Sequence, residues 1–230
     1  EDGKTAQSRS YMWLYGSGND RLPPIRLYDY QPSRGGYHAE EFLKGFSGYL
    51  TCDGFSGYNK LKKVIRCGCL AHMRRYWYDA LPGKMKTASE KPPAEIGFDY
   101  CNQLFKLEEK YAGLDADTRK AKRLETEPAI WEAYWSWLET VNPTGGSRLE
   151  KAVTYARNQK PYMENYLLDG RCSISNNIAE NIARPYAVGR KNFLFHDTVK
   201  GARSSAIIYS LVETAKLNNL NIYAYLETVL

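Results

Sequence analysis

The sequence predicts an α/β fold broken by a long helical block, and three observations predict it. Short aromatic runs separated by turn residues occupy the first third of the chain. Apolar residues at helical spacing occupy the middle, and amphipathic helical patterns close the chain. Strand signals followed by helix signals in this order place the sheet early and the helices late.

Taken in order, Ser10-Tyr-Met-Trp-Leu-Tyr15 is a short aromatic strand ended by the turn residues Gly16-Ser-Gly-Asn19. Ile25-Arg-Leu-Tyr-Asp-Tyr30 alternates after Pro23-Pro24 and reads as its antiparallel neighbour. Residues 38–45 form a short helix with one apolar face. Tyr49 to Cys52 is a buried strand ending at Asp53, and Lys63 to Cys67 is another. From about His72 the strand signals disappear. Helices are expected over Phe98–Tyr111, over Ile130–Val141 with Trp131, Tyr134, Trp135 and Leu138 on one face, and over Ser147–Gln159, stopped by Pro161. Beyond Gly170 the chain returns to its first domain. Asn177–Val188 is helical around Pro185, Ala202–Lys216 is an amphipathic helix ended by Asn218-Asn219, and Ile222–Val229 is a final short one. The expected organisation is a core over residues 1–78, a helical insertion over 79–170, and the rest of the core over 171–230.

Composition narrows the classes. A chain of 230 residues with 43% hydrophobic residues can bury a core, and its five cysteines, odd in number and scattered, exclude a disulfide scaffold. No apolar run approaches the roughly 18–20 residues that span a bilayer, and no signal-peptide pattern is present. A cytoplasmic location is expected. The chain opens at Glu1 without a methionine, which reads as a fragment or a processed product. A net charge of +6 suits nucleic acid and many metabolic enzymes alike. The 19 tyrosines and five tryptophans exceed what packing alone demands, although Trp131, Trp135 and Trp137 read as core rather than as wedges into DNA.

Two carboxylates stand out. Asp53 ends an apolar strand, where α/β sheets present functional residues, and Gly54 and Gly57 allow close approach of backbone or ligand. Asp-Gly is equally a turn dipeptide. Glu180 sits in Ser175-Asn-Asn-Ile-Ala-Glu180, followed by Arg184, Arg190 and Lys191. It completes a capping box with Asn177 and an i,i+4 pair with Arg184, and it is also a hard oxygen ligand for Mg2+ or Mn2+ beside cations suited to phosphate. Cys69-x-x-His72, with Cys52 and Cys67, has the elements of a zinc site. All four would come from one crowded strand end, so packing, or positioning of an active site by Cys69 and His72, is the reading. Arg74 and Arg75 open the next helix toward solvent or DNA. His38 and His196 read as surface or core histidines, His196 lying close enough to the Glu180 segment for a DNA contact.

Four segments carry a resemblance: Asp-Gly-Phe-Ser-Gly-Tyr-Asn-Lys (53–60), Cys-Leu-Ala-His-Met-Arg-Arg (69–75), Asn-Asn-Ile-Ala-Glu-Asn-Ile-Ala-Arg-Pro (176–185) and Val-Gly-Arg-Lys-Asn-Phe-Leu-Phe (188–195). With Gly201-Ala-Arg-Ser-Ser-Ala206, Leu211-Val-Glu-Thr-Ala-Lys216 and Tyr223-Ala-Tyr-Leu226, the chain resembles the insertion-sequence-66 family of bacterial transposases along nearly its whole length. The resemblance implies a ribonuclease-H-like mixed sheet flanked by helices, with a large all-α insertion between the second and third acids of an Asp-Asp-Glu triad. Asp53 matches the second acid and Glu180 the third. In that family the first acid lies on a strand a little upstream of a Gly-Lys-Thr turn. Gly3-Lys4-Thr5 is present here, Asp2 sits in the turn, and the first acid is expected upstream of Glu1.

The implied activity is metal-dependent DNA cleavage and strand transfer that mobilises a bacterial insertion sequence. Two Mg2+ or Mn2+ ions, double-stranded DNA as transposon ends and target, and a homo-oligomer on that DNA in a nucleoid setting all follow from the resemblance. Arg74, Arg75, Arg184, Arg190 and Lys191 would contact phosphates. The alternatives are a non-catalytic DNA-binding or assembly fragment and a ribonuclease-H-like nuclease that cuts without joining.

Overall fold

A computed structural model describes residues 8–18, 22–83 and 91–229, so Asp2 and the Gly3-Lys4-Thr5 turn lie outside the described residues. In chain order the elements are β1 (Tyr11–Gly16), β2 (Arg26–Gln31), α1 (Gly36–Phe42), β3 (Gly48–Thr51), β4 (Val64–Cys67), α2 (Leu70–Asp79), α3 (Pro93–Tyr111), α4 (Ala116–Thr140), α5 (Arg148–Met163), α6 (Asn177–Phe193), α7 (Val199–Leu217) and α8 (Ile222–Val229). Short 3-10 turns occupy Ser56–Lys60 and Asn165–Leu168. The protein is mixed α/β and mostly helical. It divides into two compact units, residues 1–45, 56–62 and 177–230, and residues 46–55 and 63–176.

In the first unit β1 and β2 form the expected antiparallel pair, Tyr11 opposite Gln31 and Gly16 opposite Arg26. Trp13 and Tyr28 are both buried, but on opposite faces of the pair, because Trp13 stands opposite Asp29 and Tyr28 opposite Leu14. Trp13 packs beside His38 and Tyr58, and Tyr28 beside Ile182 and Ala206. The outer edge of β2 is closed by a helix. The Arg26 N–H donates to Thr214 Oγ1 at 3.0 Å, Thr214 Oγ1 donates back to the Arg26 carbonyl at 3.1 Å, and the Tyr28 N–H donates to Ser210 Oγ at 2.9 Å. Asn218 Nδ2 donates to the Pro24 carbonyl at 2.9 Å. Residues four apart on a helix rise about 6 Å, close to the roughly 6.6 Å between alternate residues of a strand, so one helix face can track a strand edge. The α7 hydroxyls thus satisfy an edge that would otherwise template pairing with another chain. The Tyr28 hydroxyl donates to the Ile182 carbonyl at 2.6 Å and fixes α6 to the same strand pair. Below it α1 meets the 56–60 turn closely: a Cβ on Gly36 would stand 2.5 Å from the Gly57 carbonyl oxygen.

In the second unit β3 and β4 are parallel, Gly48 beside Val64 and Thr51 beside Cys67. Around them Trp77, Leu104, Trp131, Tyr134, Leu138, Val153, Met163 and Tyr166 make one core. Two helices depart from expectation. α4 starts at Ala116 rather than near Ile130, capped by Asp115, whose carboxylate accepts the Thr118 N–H at 3.0 Å. Its buried face runs Arg123, Glu127, Trp131, Tyr134, Trp135 and Leu138, so the first two core positions are charged and hide the helical period. α5 continues through Pro161 to Met163. Its last turn is held from outside: the Gly68 N–H donates to the Tyr162 carbonyl at 2.8 Å, and Asn165 Nδ2 links the Arg66 and Pro161 carbonyls at 2.7 and 3.3 Å.

Arg123 is fully buried. Its Nε and Nη2 donate to the two Glu108 carboxylate oxygens at 2.7 and 2.6 Å, and the remaining donors reach the carbonyls of Tyr166, Asp169 and Cys172 at 3.1, 3.2 and 2.9 Å. Nearby, Glu127 accepts from the Tyr166 hydroxyl. Burial pushes the Glu127 carboxyl up to about 7; the Glu108 carboxylate adds to the rise, while Tyr166 and Arg123 oppose it. A carboxyl raised on folding contributes its stability fully below the unfolded value and loses it as pH climbs through the folded one. Glu127→Gln, followed by urea unfolding, should therefore gain on the unaltered chain by roughly 2–3 kcal/mol between about pH 5 and about pH 8. Arg123→Met should cost about 3–5 kcal/mol at neutral pH in the same assay, because Glu108 is left unpaired.

Candidate functional site

Asp53 stands just past the parallel pair. The Cys52 N–H donates to the Cys67 carbonyl at 3.1 Å, so the ladder runs one residue beyond β3 and releases the chain at Asp53. Its Oδ1 accepts the Phe55 N–H at 3.1 Å, which is the Asp-Gly turn read from the sequence. An ionised carboxylate has about four acceptor positions, so this turn bond orients the group without exhausting it.

Gly54 lets α5 come close. A Cβ there would lie 3.0 Å from the Tyr155 ring and 3.1 Å from Gln159 Nε2. The Tyr155 hydroxyl and Gln159 Oε1 are buried and have no hydrogen-bond partner among the described residues. Burial raises the Tyr155 hydroxyl above its usual range, with Cys69, Asp53, Tyr76 and Cys52 adding to the rise. Both atoms belong to α5 residues whose side chains pack on Gly54, the residue after the strand-end carboxylate. The sequence shows no signal for either residue except their shared face, four apart, on the helix read over 147–159.

Cys69 and His72 sit at the start of α2. Cys69 is buried, and its sulfur accepts the Asn176 N–H at 3.2 Å, while the Leu70 N–H donates to the Ile174 carbonyl at 3.0 Å. Thr51 Oγ1 reaches the Ser173 carbonyl at 3.4 Å. Together these bonds dock residues 173–176 on the end of β3 and the first turn of α2. All five cysteines are buried thiols, and burial pushes Cys52 up, away from the thiolate that zinc requires. Among the described residues no group of three or more His, Cys, Asp or Glu side chains is placed to hold a metal ion.

The basic residues divide. Arg74 is exposed yet engaged: its Nε donates to Asn102 Oδ1 at 2.6 Å and its guanidinium lies 4.6 Å from the Phe98 ring centre, bracing α2 on α3. Arg75 is exposed. In the other unit Glu180 stands exposed in the first turn of α6, Arg184 is exposed one turn on, and Arg190 and Lys191 are exposed in the last turn. Acid at the start and base at the end of a helix also complement its dipole. Asp53 and Glu180 thus belong to different units. Trp131 and Trp135 are core residues, their indole N–H groups donating to the Tyr166 hydroxyl and the Glu164 carboxylate at 3.1 and 2.7 Å. His38 is buried against Ser33 Oγ at 2.8 Å, and His196 pairs with the Tyr186 hydroxyl at 2.9 Å.

The family model described as "Transposase IS66 family" matches residues 1–204. Among curated sequences the chain is similar to three proteins of Sinorhizobium fredii that carry the description uncharacterized. It is 31% identical to y4qI over 99% of this chain and 44% of that protein, and 28% identical to y4hP over 90% of this chain and 41% of that protein. It is 30% identical to y4jD over 90% of this chain and 42% of that protein. The chain therefore spans less than half the length of these relatives. No solved structure matches it.

Tyr155→Phe removes a buried hydroxyl that has no partner among the described residues, so the variant should unfold at higher urea concentration, gaining about 1 kcal/mol. A loss of that size instead would show that the hydroxyl is satisfied within the fold.

Proposed function

The chain belongs to the IS66 family of transposases, and from that premise we propose that it carries the catalytic region of a DNA transposase, a ribonuclease-H-like core interrupted by an all-α insertion. The observation that carries the proposal is Asp53 itself, a carboxylate at the C-terminal end of β3, oriented by the Phe55 N–H and followed by Gly54, on which Tyr155 and Gln159 of α5 pack closely. The donor chemistry supports it too. Asp53 and Glu180 offer hard carboxylate oxygens, and these are the residues of this chain that would hold Mg2+ or Mn2+. Two such ions, bound in the complete site, supply Lewis-acid stabilisation of the attacking and leaving oxygens.

Arg184, Arg190 and Lys191 on α6, with Arg75 on α2, would contact DNA phosphates and set the register of the duplex without reading its sequence. Arg74, held by Asn102 and Phe98, would serve this role less directly, by fixing the helix that carries Arg75. In the proposed reaction a water oxygen attacks a phosphodiester at the transposon end. The bond from phosphorus to the 3′ oxygen breaks, and that oxygen takes up a proton to leave a free 3′-hydroxyl. This hydroxyl then attacks a target phosphodiester, joining to its phosphorus as the target strand's own 3′ oxygen leaves. Cys69 and the 173–176 segment would support the site by holding the ends of β3 and α2 together. DNA is the partner the family implies, and among the described residues no helix is long and apolar enough to cross a membrane. A homo-oligomer on paired transposon ends is part of the same proposal.

In the full-length protein, Asp53→Asn and Glu180→Gln should each abolish both cleavage of transposon ends and joining of pre-cleaved ends with Mn2+. Stability should shift by no more than about 0.5 kcal/mol, because Asn keeps an oxygen for the Phe55 N–H and Glu180 is exposed. Cleavage without joined product in the unaltered protein would make it a nuclease. DNA binding with neither activity would make it a binding or assembly protein.

A further inference from the structure

The connection between α6 and α7 is built in a way that packing does not explain. α6 ends with the Leu194 N–H donating to the Arg190 carbonyl at 2.8 Å, and Leu194 then takes φ 60°. That left-handed position ordinarily falls to Gly or Asn, and a branched apolar side chain is strained there. Nothing is recovered by burial, since Leu194 is 63% and Phe195 70% exposed. The next residue is tied down: His196 Nε2 pairs with the Tyr186 hydroxyl at 2.9 Å, and its ring lies 4.8 Å from that of Phe193. Thr198 caps α7 by accepting the Gly201 N–H at 3.0 Å. The turn is therefore anchored on both sides while two large apolar side chains project from its tip. Strain held at an exposed position by well-made neighbours points to function.

The surroundings of the tip say what it meets. Between residues 190 and 203 stand Arg190, Lys191, Lys200 and Arg203, all exposed, against the single acid Asp197. An exposed aromatic on a turn whose flanking helix ends carry exposed cations is complementary to a nucleic-acid strand, where phosphates face the cations and a base face meets the aromatic. A paired base keeps its faces covered by its neighbours in the stack, so a projecting phenyl ring gains most from a base already unpaired, or from a step it can part.

We propose that Phe195, presented by the strained Leu194 turn, is a stacking residue for an unpaired DNA base, with Arg190, Lys191, Lys200 and Arg203 holding the flanking phosphates. This places recognition of frayed or single-stranded DNA, in addition to duplex DNA, in the α6–α7 turn. The inference rests on the reading of the chain as a DNA-processing protein and deepens it by naming the strand structure that this turn takes.

The test uses the full-length protein and two probes, a blunt duplex and the same duplex with a short single-stranded 3′ overhang carrying 2-aminopurine at its first unpaired position. The unaltered chain should bind the overhang probe more tightly and change its 2-aminopurine fluorescence. Phe195→Ala should lose that fluorescence change and about tenfold of the overhang affinity. Tyr223→Ala, which removes an aromatic 74% exposed on α8, should alter neither. Arg190→Ala with Lys191→Ala should weaken both probes and reduce the slope of log affinity against log salt by about 1.4 to 1.8. Equal overhang binding by Phe195→Ala and the unaltered chain overturns the stacking role and leaves the transposase reading standing. So does a Phe195→Ala chain that changes only its sedimentation, because the tip would then be a contact between protein copies. An unaltered chain that binds neither probe overturns both readings.

Discussion

The second unit depends on one buried guanidinium. Arg123 gives up its hydration only because every side of it is answered, by two oxygens of Glu108 and by the carbonyls of Tyr166, Asp169 and Cys172. A buried charge left unpaired costs several kcal/mol, so these partners are held as a set rather than one by one. The consequence reaches past the arginine. The 166–172 segment has little regular structure to carry its backbone polar groups, and Arg123 takes three of its carbonyls. Held there, the chain continues into residues 173–176, which bond to Thr51, Leu70 and Cys69 at the end of β3 and the start of α2. The neighbourhood of Asp53 is thus shaped partly by a residue on a helix that contributes nothing to it chemically.

In the first unit the corresponding constraint is geometric. Ser210 and Thr214 on α7, and Asn218 capping its end, recur every fourth residue and meet Tyr28, Arg26 and Pro24, alternate residues of β2 and the segment leading into it. A helix and a strand match in this way only because four helical rises nearly equal two strand rises. The ladder seals the strand edge with side-chain oxygens and an amide in place of another strand. It also orients α7, whose N-terminal end begins just after the exposed Leu194-Phe195 turn.

Much of this was legible beforehand. The β1–β2 pair, the strand ending at Asp53 and the closing helices follow from aromatic runs, turn residues and apolar spacing. The first half of α4 was not legible, because Arg123 and Glu127 occupy core positions and read as a solvated face. The end of α5 is hidden from the sequence for a related reason: Pro161 weakens a helix locally, and bonds from Gly68 and Asn165 outweigh it from a distance. At the site, Asp53 was visible as a residue type at the end of a strand. Tyr155 and Gln159 were invisible, since unsatisfied burial is a property of the packed fold and leaves no mark on spacing.

The sequence by itself determined the order of strands and helices, the acidic and basic residues available for chemistry, and, through motifs running along nearly the whole chain, the family. These depend on local propensity and residue identity, which a linear pattern retains. The tertiary structure alone decided which charges are buried and answered, which helix closes the β2 edge, that Arg74 braces a helix, and that Leu194 and Phe195 stand out in a strained turn. Each of those depends on partners far apart in the chain, and burial and desolvation exist only once the partners have met.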